Sequence, residues 1–434
     1  MRYSASFLTV VLAFCVCAPR VTIAPFPVSA SEVIRPSAGS LSSWQVAHQG
    51  EFQRAERMLA AMQSDSSPQA ATARGLIALR RGDCVGTEDW LRRAFDSGSD
   101  SAMTRIAWRG LKSSLVTQER YAAIESLGLR AAAEGLASTM DSSDLRAARV
   151  VAQTGPVRIA TPRPKVVVPM RKTLVNLLGS TTAAAAVRVN GRRAGDFIFD
   201  TGASDIVVSE EVALRCRVRI LDDKPLMAMG FGDKANIPFR IGLADSLQIG
   251  DLTIYNVPVA VTKLDFGIIK LSGLIGWSAI ARLRVTLDYP QRRIALEYAI
   301  PEATSQARNL FFSSLPMVEA YVDGSGPLHL ILDTGSDGSL LTRSGFDKLA
   351  SPPVLTEVGG CVIGQGGSVK GQTPKVVNAA SMAIAGQSVY PLSLALHPRF
   401  LAESPIVVDG LVGGDMLSHF AVTIDAAHGT ITLR

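Results

Sequence analysis

The sequence predicts a multidomain chain in which an α-helical segment is followed by two related, all-β halves. Three observations carry that expectation. Residues 43–152 are rich in Ala, Leu, Arg, Glu and Gln, with proline only at Pro68, a composition of strong helix formers. From about residue 174 onward, short apolar or alternating runs are separated by turn signals at spacings typical of sheet proteins. Within this second region a set of landmarks recurs in the same order, as an internal duplication would leave it.

The whole chain sets outer limits. Its 434 residues exceed one ordinary core, and a composition of 47% hydrophobic and 19% charged residues with 37 Gly and 22 Pro is that of a globular protein. The net charge is +6 and the isoelectric point about 9.1. The excess is scattered arginine, including Arg80-Arg81, Arg92-Arg93 and Arg192-Arg193, and no run of five or more basic residues occurs. A basic solvated surface therefore accounts for the charge, and nucleic acid is not an expected partner.

The chain opens with Arg2, an apolar run over 7–18 and the small-residue pattern Val28-Ser29-Ala30. This is the layout of a secretory signal over 1–30 with cleavage after Ala30, so export to a periplasmic or extracellular space is expected. The run is too short for a stable membrane span. Lipid attachment is disfavoured, since Phe14 and Val16 rather than small residues precede Cys15 and Cys17. The mature chain then keeps Cys84, Cys216 and Cys361. Three scattered cysteines form neither a disulfide framework nor a metal pair, and read as small buried hydrophobes.

Residues 31–153 form the expected helical domain. Gly50-Glu51-Phe52 followed by Ala55-Glu56-Arg57-Met58-Leu59 is echoed 32 positions later by Gly82-Asp83-Cys84 followed by Trp90-Leu91-Arg92-Arg93-Ala94. That period resembles a degenerate tetratricopeptide-type repeat, beside the plainer alternative of a helical bundle. A solenoid would present a concave face to a protein partner or to the neighbouring domain. Trp44, Trp90 and Trp108 fall at helical positions and read as core. Residues 154–173 carry Pro156, Pro162, Pro164 and Pro169 around Val166-Val167-Val168, and are expected to be a stiff spacer or an edge strand.

The β halves are expected at 174–300 and 301–434. Val187-Arg188-Val189-Asn190-Gly191 is a strand entering a tight hairpin, because Asn-Gly tolerates positive φ. Val322-Asp323-Gly324 repeats Val189-Asn190-Gly191 at an offset of 133. At the same offset, the apolar run Phe197-Ile198-Phe199 ending in Asp200-Thr201-Gly202 is repeated by Leu330-Ile331-Leu332 ending in Asp333-Thr334-Gly335. Later, Gly273-Leu274-Ile275-Gly276 and Val285-Thr286-Leu287-Asp288 return as Gly410-Leu411-Val412-Gly413 and Val422-Thr423-Ile424-Asp425, offset by 137. One Asp-Thr-Gly alone is a common surface turn. Two behind apolar strands, in a duplicated frame, place two matched carboxylates at the ends of buried strands.

With these motifs, residues 174–434 resemble the aspartic proteases, specifically the retropepsin-like branch found in bacteria and retroviruses. The resemblance implies a bilobal fold of two pseudo-symmetric β-barrel-like lobes, fused in one chain as in pepsin, so that the catalytic unit forms within one polypeptide. It implies Asp200 and Asp333 as the catalytic pair, holding a water between them, with no cofactor and no metal. Two close carboxylates cannot both ionise cheaply, so they share one proton: one activates the water and the other donates to the substrate carbonyl. Gly202 and Gly335 permit the tight turns, while Thr201 and Thr334 are implied to bond across the lobe interface. The strands ending at Gly276 and Gly413 are implied to cross behind the loops. The residues after the motifs differ, Ala203 in one and Ser336 in the other; a Ser336 hydroxyl donating to Asp333 would make Asp333 the more acidic member. Glycine-rich candidates for flaps that clamp a peptide are Gly230-Phe231-Gly232 and the stretch holding Gly364 and Gly366, with ordinary hairpin turns as the alternative.

Rival chemistries lack their contexts. Gly230 to Ala235 fits a dinucleotide glycine pattern, but Pro238 stands where a helix would have to follow. None of His48, His329, His397, His419 and His428 sits in a zinc-protease motif, and no serine-hydrolase elbow occurs. The expected activity is thus an exported endopeptidase acting on peptides or proteins. The alternative is a non-catalytic peptide-binding or scaffold protein that uses the same fold and the helical segment.

Overall fold

The computed structural model describes residues 9–10, 14–21, 41–62, 66–98, 100–137, 139–177, 179–230, 236–266, 269–298, 307–313, 315–350, 355–364, 367–368, 375–379, 381–390, 392–397 and 404–434. Most of the expected signal lies outside them; Thr9–Val10 pairs in parallel with Met229 and Gly230, and Phe14–Val21 lies antiparallel to the strand Leu355–Gly364. Among the described residues, no helix is long and apolar enough to cross a membrane.

The helices run Ser43–His48, Phe52–Ala61, Pro68–Arg81, Cys84–Ser97, Ser101–Thr117, Tyr121–Ala133 and Thr139–Ala152. Local chemistry sets their ends. Ser67, Asp83 and Asp100 cap helix N-termini by accepting backbone N–H groups at 3.2, 2.9 and 2.8 Å, and Gly82 and Gly98 end helices in the left-handed conformation at φ 69° and 56°. Trp108 is fully buried in the helical core, whereas Trp90 is only partly buried and carries the guanidinium groups of Arg74 and Arg93 at 4.9 and 4.8 Å from its ring.

In the first half, the central strands pair so that Phe197, Ile198 and Phe199 lie parallel to Gly273, Leu274 and Ile275. In the second, Leu330, Ile331 and Leu332 lie parallel to Gly410, Leu411 and Val412. The offsets read from the sequence are thus reproduced in the strand register. Both expected hairpins turn through positive φ, at 51° and 71° for Asn190 and Gly191 and at 48° and 74° for Asp323 and Gly324. A five-stranded sheet joins the halves in the order Thr430–Leu433, Ala421–Asp425, Arg284–Asp288, Arg293–Glu297, Lys165–Pro169. Thr286 and Thr423 face one another in it, their hydroxyls 3.0 Å apart. The proline-containing stretch takes the edge-strand alternative: Lys165–Pro169 closes this sheet, and Arg158–Ala160 pairs with Thr253 to Tyr255.

The helical segment is not a detached appendage. Phe197 and Phe199 face the central β core, with Leu330 and Leu332 in the same core. The residues between them point the other way: Ile198 packs with Ala147 and Val151 of the last helix, and Ile331 with Val46 and Phe52 of the first two. Helices therefore cover the outer faces of both central strands where they approach the acids, which is why Phe197-Ile198-Phe199 and Leu330-Ile331-Leu332 are apolar in succession and not at alternate positions. Polar contacts reinforce the docking. Val407 N–H donates to His48 O at 2.8 Å, Met227 N–H donates to Ser143 Oγ at 3.1 Å, and Arg80 pairs with Glu319. A chain shortened to begin at residue 154 is accordingly expected to lose soluble expression, because removal of the helices exposes Ile198, Ile331 and their neighbours; comparing soluble yield and gel-filtration profile with the full chain checks this.

Candidate active site

Each apolar strand delivers its acid into a loop pinned from behind. Asp200 N–H donates to Ile275 O and Asp333 N–H to Val412 O, both at 3.0 Å. Beyond these points, Trp277 N–H donates to Ala203 O at 2.7 Å and Gly414 N–H to Ser336 O at 2.8 Å. The crossing strands come so close that a Cβ on Gly276 would lie 2.0 Å from Asp205 O, and one on Gly413 would lie 2.5 Å from Gly338 O. Glycine is required at both positions by this approach of backbone to backbone.

The structure brings the two acids together. Both are fully buried, and a Cβ on Gly202 would lie 2.6 Å from the Asp333 carboxyl carbon, as one on Gly335 would lie 2.4 Å from that of Asp200. Oδ1 of Asp200 accepts the N–H groups of Gly202 and Ala203 at 2.9 and 3.1 Å. Oδ1 of Asp333 accepts those of Gly335 and Ser336, each at 3.0 Å. Both Oδ2 atoms are buried, and among the described residues no group donates to them. The opposite carboxyl, through a proton, or something bound between them can satisfy each.

Electrostatics follows from that burial. Loss of solvation pushes the Asp200 carboxyl up to about 7 against the pull of its two N–H donors. The same loss, with the Asp200 charge added, holds Asp333 well above the ordinary carboxylate range. These directions lend no support to the expectation that Ser336 makes Asp333 the more acidic member. Ser336 Oγ donates to Gly338 O at 2.8 Å, the N–H groups reaching the two Oδ1 atoms correspond one for one, and desolvation dominates on both sides.

Thr201 and Thr334 lock the loops to each other. Thr201 N–H donates to Thr334 Oγ1 at 3.1 Å and Thr334 N–H to Thr201 Oγ1 at 3.0 Å. In turn the Thr201 hydroxyl donates to Leu332 O at 2.5 Å and the Thr334 hydroxyl to Phe199 O at 2.8 Å. Thr334→Val keeps the shape but strands Thr201 N–H and Phe199 O in a buried site. Each unsatisfied group costs about 1–3 kcal/mol, so a loss of roughly 2–4 kcal/mol in urea unfolding is expected, together with a fall in any activity that needs the acids in register.

Sequence reasoning missed a second tie between the halves. Asp337 Oδ1 accepts from Ser180 Oγ at 2.6 Å and from Thr181 N–H at 2.9 Å. Asp337 stands four residues past Asp333, yet its partner Ser180 is 157 positions away, so no spacing rule connects them. Tyr289 was also missed: its phenol is buried with no hydrogen-bond partner among the described residues and is kept protonated by burial and by the charges of Asp337 and Asp333.

The flap candidates occupy hairpin strands. Gly230 ends the strand Leu226–Gly230, which pairs with the start of Asn236–Ile249. Gly364 ends Leu355–Gly364 and pairs with Gly367. Phe231, Gly232 and Gly366 lie outside the described residues. Among the described residues no cluster of three or more His, Cys, Asp or Glu side chains could hold a metal ion.

Residues 185–279 match the family described as aspartyl protease, a span that contains the first Asp-Thr-Gly loop, the first flap candidate and Gly276. No curated protein matches the chain. Among solved structures, an aspartic proteinase from Irpex lacteus is 12% identical over 62% of this chain and 96% of that one, with a TM-score of 0.37. The family match and the sheet-rich fold behind a helical region support a protease of the aspartyl type.

Proposed function

We propose that the chain is an exported aspartic endopeptidase that hydrolyses peptide bonds with a water held between Asp200 and Asp333. The observation that carries this reading is the pair of buried carboxyls whose only unsatisfied oxygens belong to the same small site. In this reading the pair holds one proton. The ionised carboxyl takes a proton from the water as it attacks the substrate carbonyl, and the protonated carboxyl donates to the carbonyl oxygen. The resulting diol collapses as a proton passes to the amide nitrogen, which leaves as the amine. No metal or cofactor takes part. Thr201, Gly202, Thr334 and Gly335, with the strands ending at Gly276 and Gly413, hold the acids in place.

The two halves are read as two lobes of one catalytic unit, because the register, the backbone bonds behind each acid and the threonine cross-bonds repeat across them. Substrate lies as an extended peptide under the hairpins that carry Gly230 and Gly364. The helical segment serves as a docked support for both halves. Incubating the full chain, matured by its host, with a mixed peptide library and mapping new termini by mass spectrometry tests the reading. Cleavage blocked by a statine-type inhibitor supports it. Saturable peptide binding without new termini would instead establish the non-catalytic alternative.

A further inference from the structure

Behind the acid loops, where helices meet both β halves, lies a cavity of about 480 Å³. One wall is apolar: Leu79, Trp277, Leu310, Phe311 and Phe312 line it, and the rings of Trp277 and Phe312 are stacked 6.0 Å apart at 8°. The opposite wall is helical and carries polar side chains whose needs are already met. Thr87 Oγ1 donates to Asp83 O at 2.6 Å, Thr117 Oγ1 to Ser113 O at 3.0 Å, and Gln118 Nε2 to Glu88 Oε1 at 2.6 Å. These groups ask nothing of an occupant.

One group does. Arg308 lines the cavity and is exposed at its edge. Its guanidinium sits in a notch between two glycines of positive φ, since a Cβ on either Gly82 or Gly429 would come within 2.4 Å of Nη2. Among the described residues no carboxylate pairs with it and no hydrogen bond engages it, in contrast to neighbouring Arg80, which pairs with Glu319. A half-open cavity with one apolar wall and a single unpaired cation at its edge among the described residues matches one kind of ligand, a hydrocarbon body ending in one anionic head.

We propose that this cavity binds an alkyl carboxylate of medium length, a free fatty acid, with its chain against Trp277, Phe311 and Phe312 and its carboxylate on Arg308. Binding here does not depend on whether the acid pair cleaves peptides. The site does touch the same framework, because the N–H of Trp277 donates to Ala203 O at 2.7 Å.

The test titrates the full chain with octanoate and decanoate below their micellar concentrations, following heat and Trp277 fluorescence, with decanol and decyltrimethylammonium alongside. The expected result is one-site binding of decanoate about fifteenfold tighter than octanoate, from about fourfold per buried methylene. Decanol and the cation bind at least tenfold more weakly. Arg308→Gln, at an exposed position, weakens decanoate at least tenfold without changing thermal stability, and Arg308→Lys restores part of it. Cys84 also lines the cavity, so bound decanoate slows its alkylation by a maleimide, read by peptide mass spectrometry. Ala427→Phe fills the slot and abolishes binding; should that variant fail to fold, Arg308→Gln and Cys84 protection decide alone. Absence of saturable binding, equal binding of decanol, or an unchanged affinity in Arg308→Gln overturns the proposal.

Discussion

Asp200→Asn or Asp333→Asn lowers peptide hydrolysis by about a thousandfold or more, while the variant folds at least as stably as the parent at neutral pH. On the proposed mechanism each replacement removes one of two acids and so removes either the base or the proton donor. The amide is the same size as the carboxyl and can donate to the opposite Oδ2 in place of the shared proton. Stability moves in a definite direction. A buried acid whose folded pKa is raised holds its proton after the unfolded chain has released it, so the folded state binds more protons between about pH 4 and the value of about 7 reached by Asp200. Stability contributed by that protonation is complete below the lower limit and is lost as pH rises through the upper one. The parent is therefore expected to lose stability, on the order of 2–4 kcal/mol from the pair as a whole, between pH 4 and pH 7. Asp200→Asn should flatten this slope. Urea melts at several pH values, run beside a peptide-cleavage assay, measure both effects. An Asn variant with full activity would remove the catalytic role, and an unchanged pH slope would remove the raised acid.

Gly335→Ala is expected to damage both the acid pair and the fold. The added Cβ would lie 2.4 Å from the Asp200 carboxyl carbon and 2.5 Å from its Oδ1, closer than any non-bonded contact tolerates. Asp200 cannot retreat, because its Oδ1 is held by two N–H donors and its own backbone is tied to Ile275. The loops must therefore separate, which breaks the Thr201–Thr334 cross-bonds as well. We expect a loss of at least about 3 kcal/mol by urea unfolding and no measurable hydrolysis in the folded fraction. Gly202→Ala should behave alike, since its Cβ would meet Asp333 at 2.6 Å. By contrast, Gly324→Ala, where no atom lies within 4 Å, pays only for its positive φ and should leave activity intact. The comparison separates the effect of touching the acids from that of adding a methyl group to a glycine.

Much of this was legible in the residues. The run Phe197-Ile198-Phe199-Asp200-Thr201-Gly202 and its copy at 330–335 placed two acids at strand ends, and the common offsets announced the duplicated register. Asn190-Gly191 and Asp323-Gly324 declared their hairpins because few other residue pairs tolerate positive φ in succession. Ser336 shows why a neighbouring residue type does not fix a bond: a hydroxyl near a carboxylate has several acceptors within reach, and Gly338 O is one of them. The tie from Asp337 to Ser180 and Thr181 had no local signature at all, for it joins segments that meet only after the halves have folded.

The sequence by itself determined what local chemistry dictates: helix formers before strand formers, turns that need positive φ, and two acids in matching Asp-Thr-Gly turns. Only the tertiary structure decided where the helical segment sits and what that does to the acids. Ile198 and Ile331 are apolar because helices cover the outer faces of their strands. With both faces of those strands closed to water, the carboxyls at their ends are desolvated, and desolvation more than any neighbour raises them into the range where one proton can be shared. Burial of this kind depends on which surfaces meet across long stretches of chain, which residue spacing does not encode.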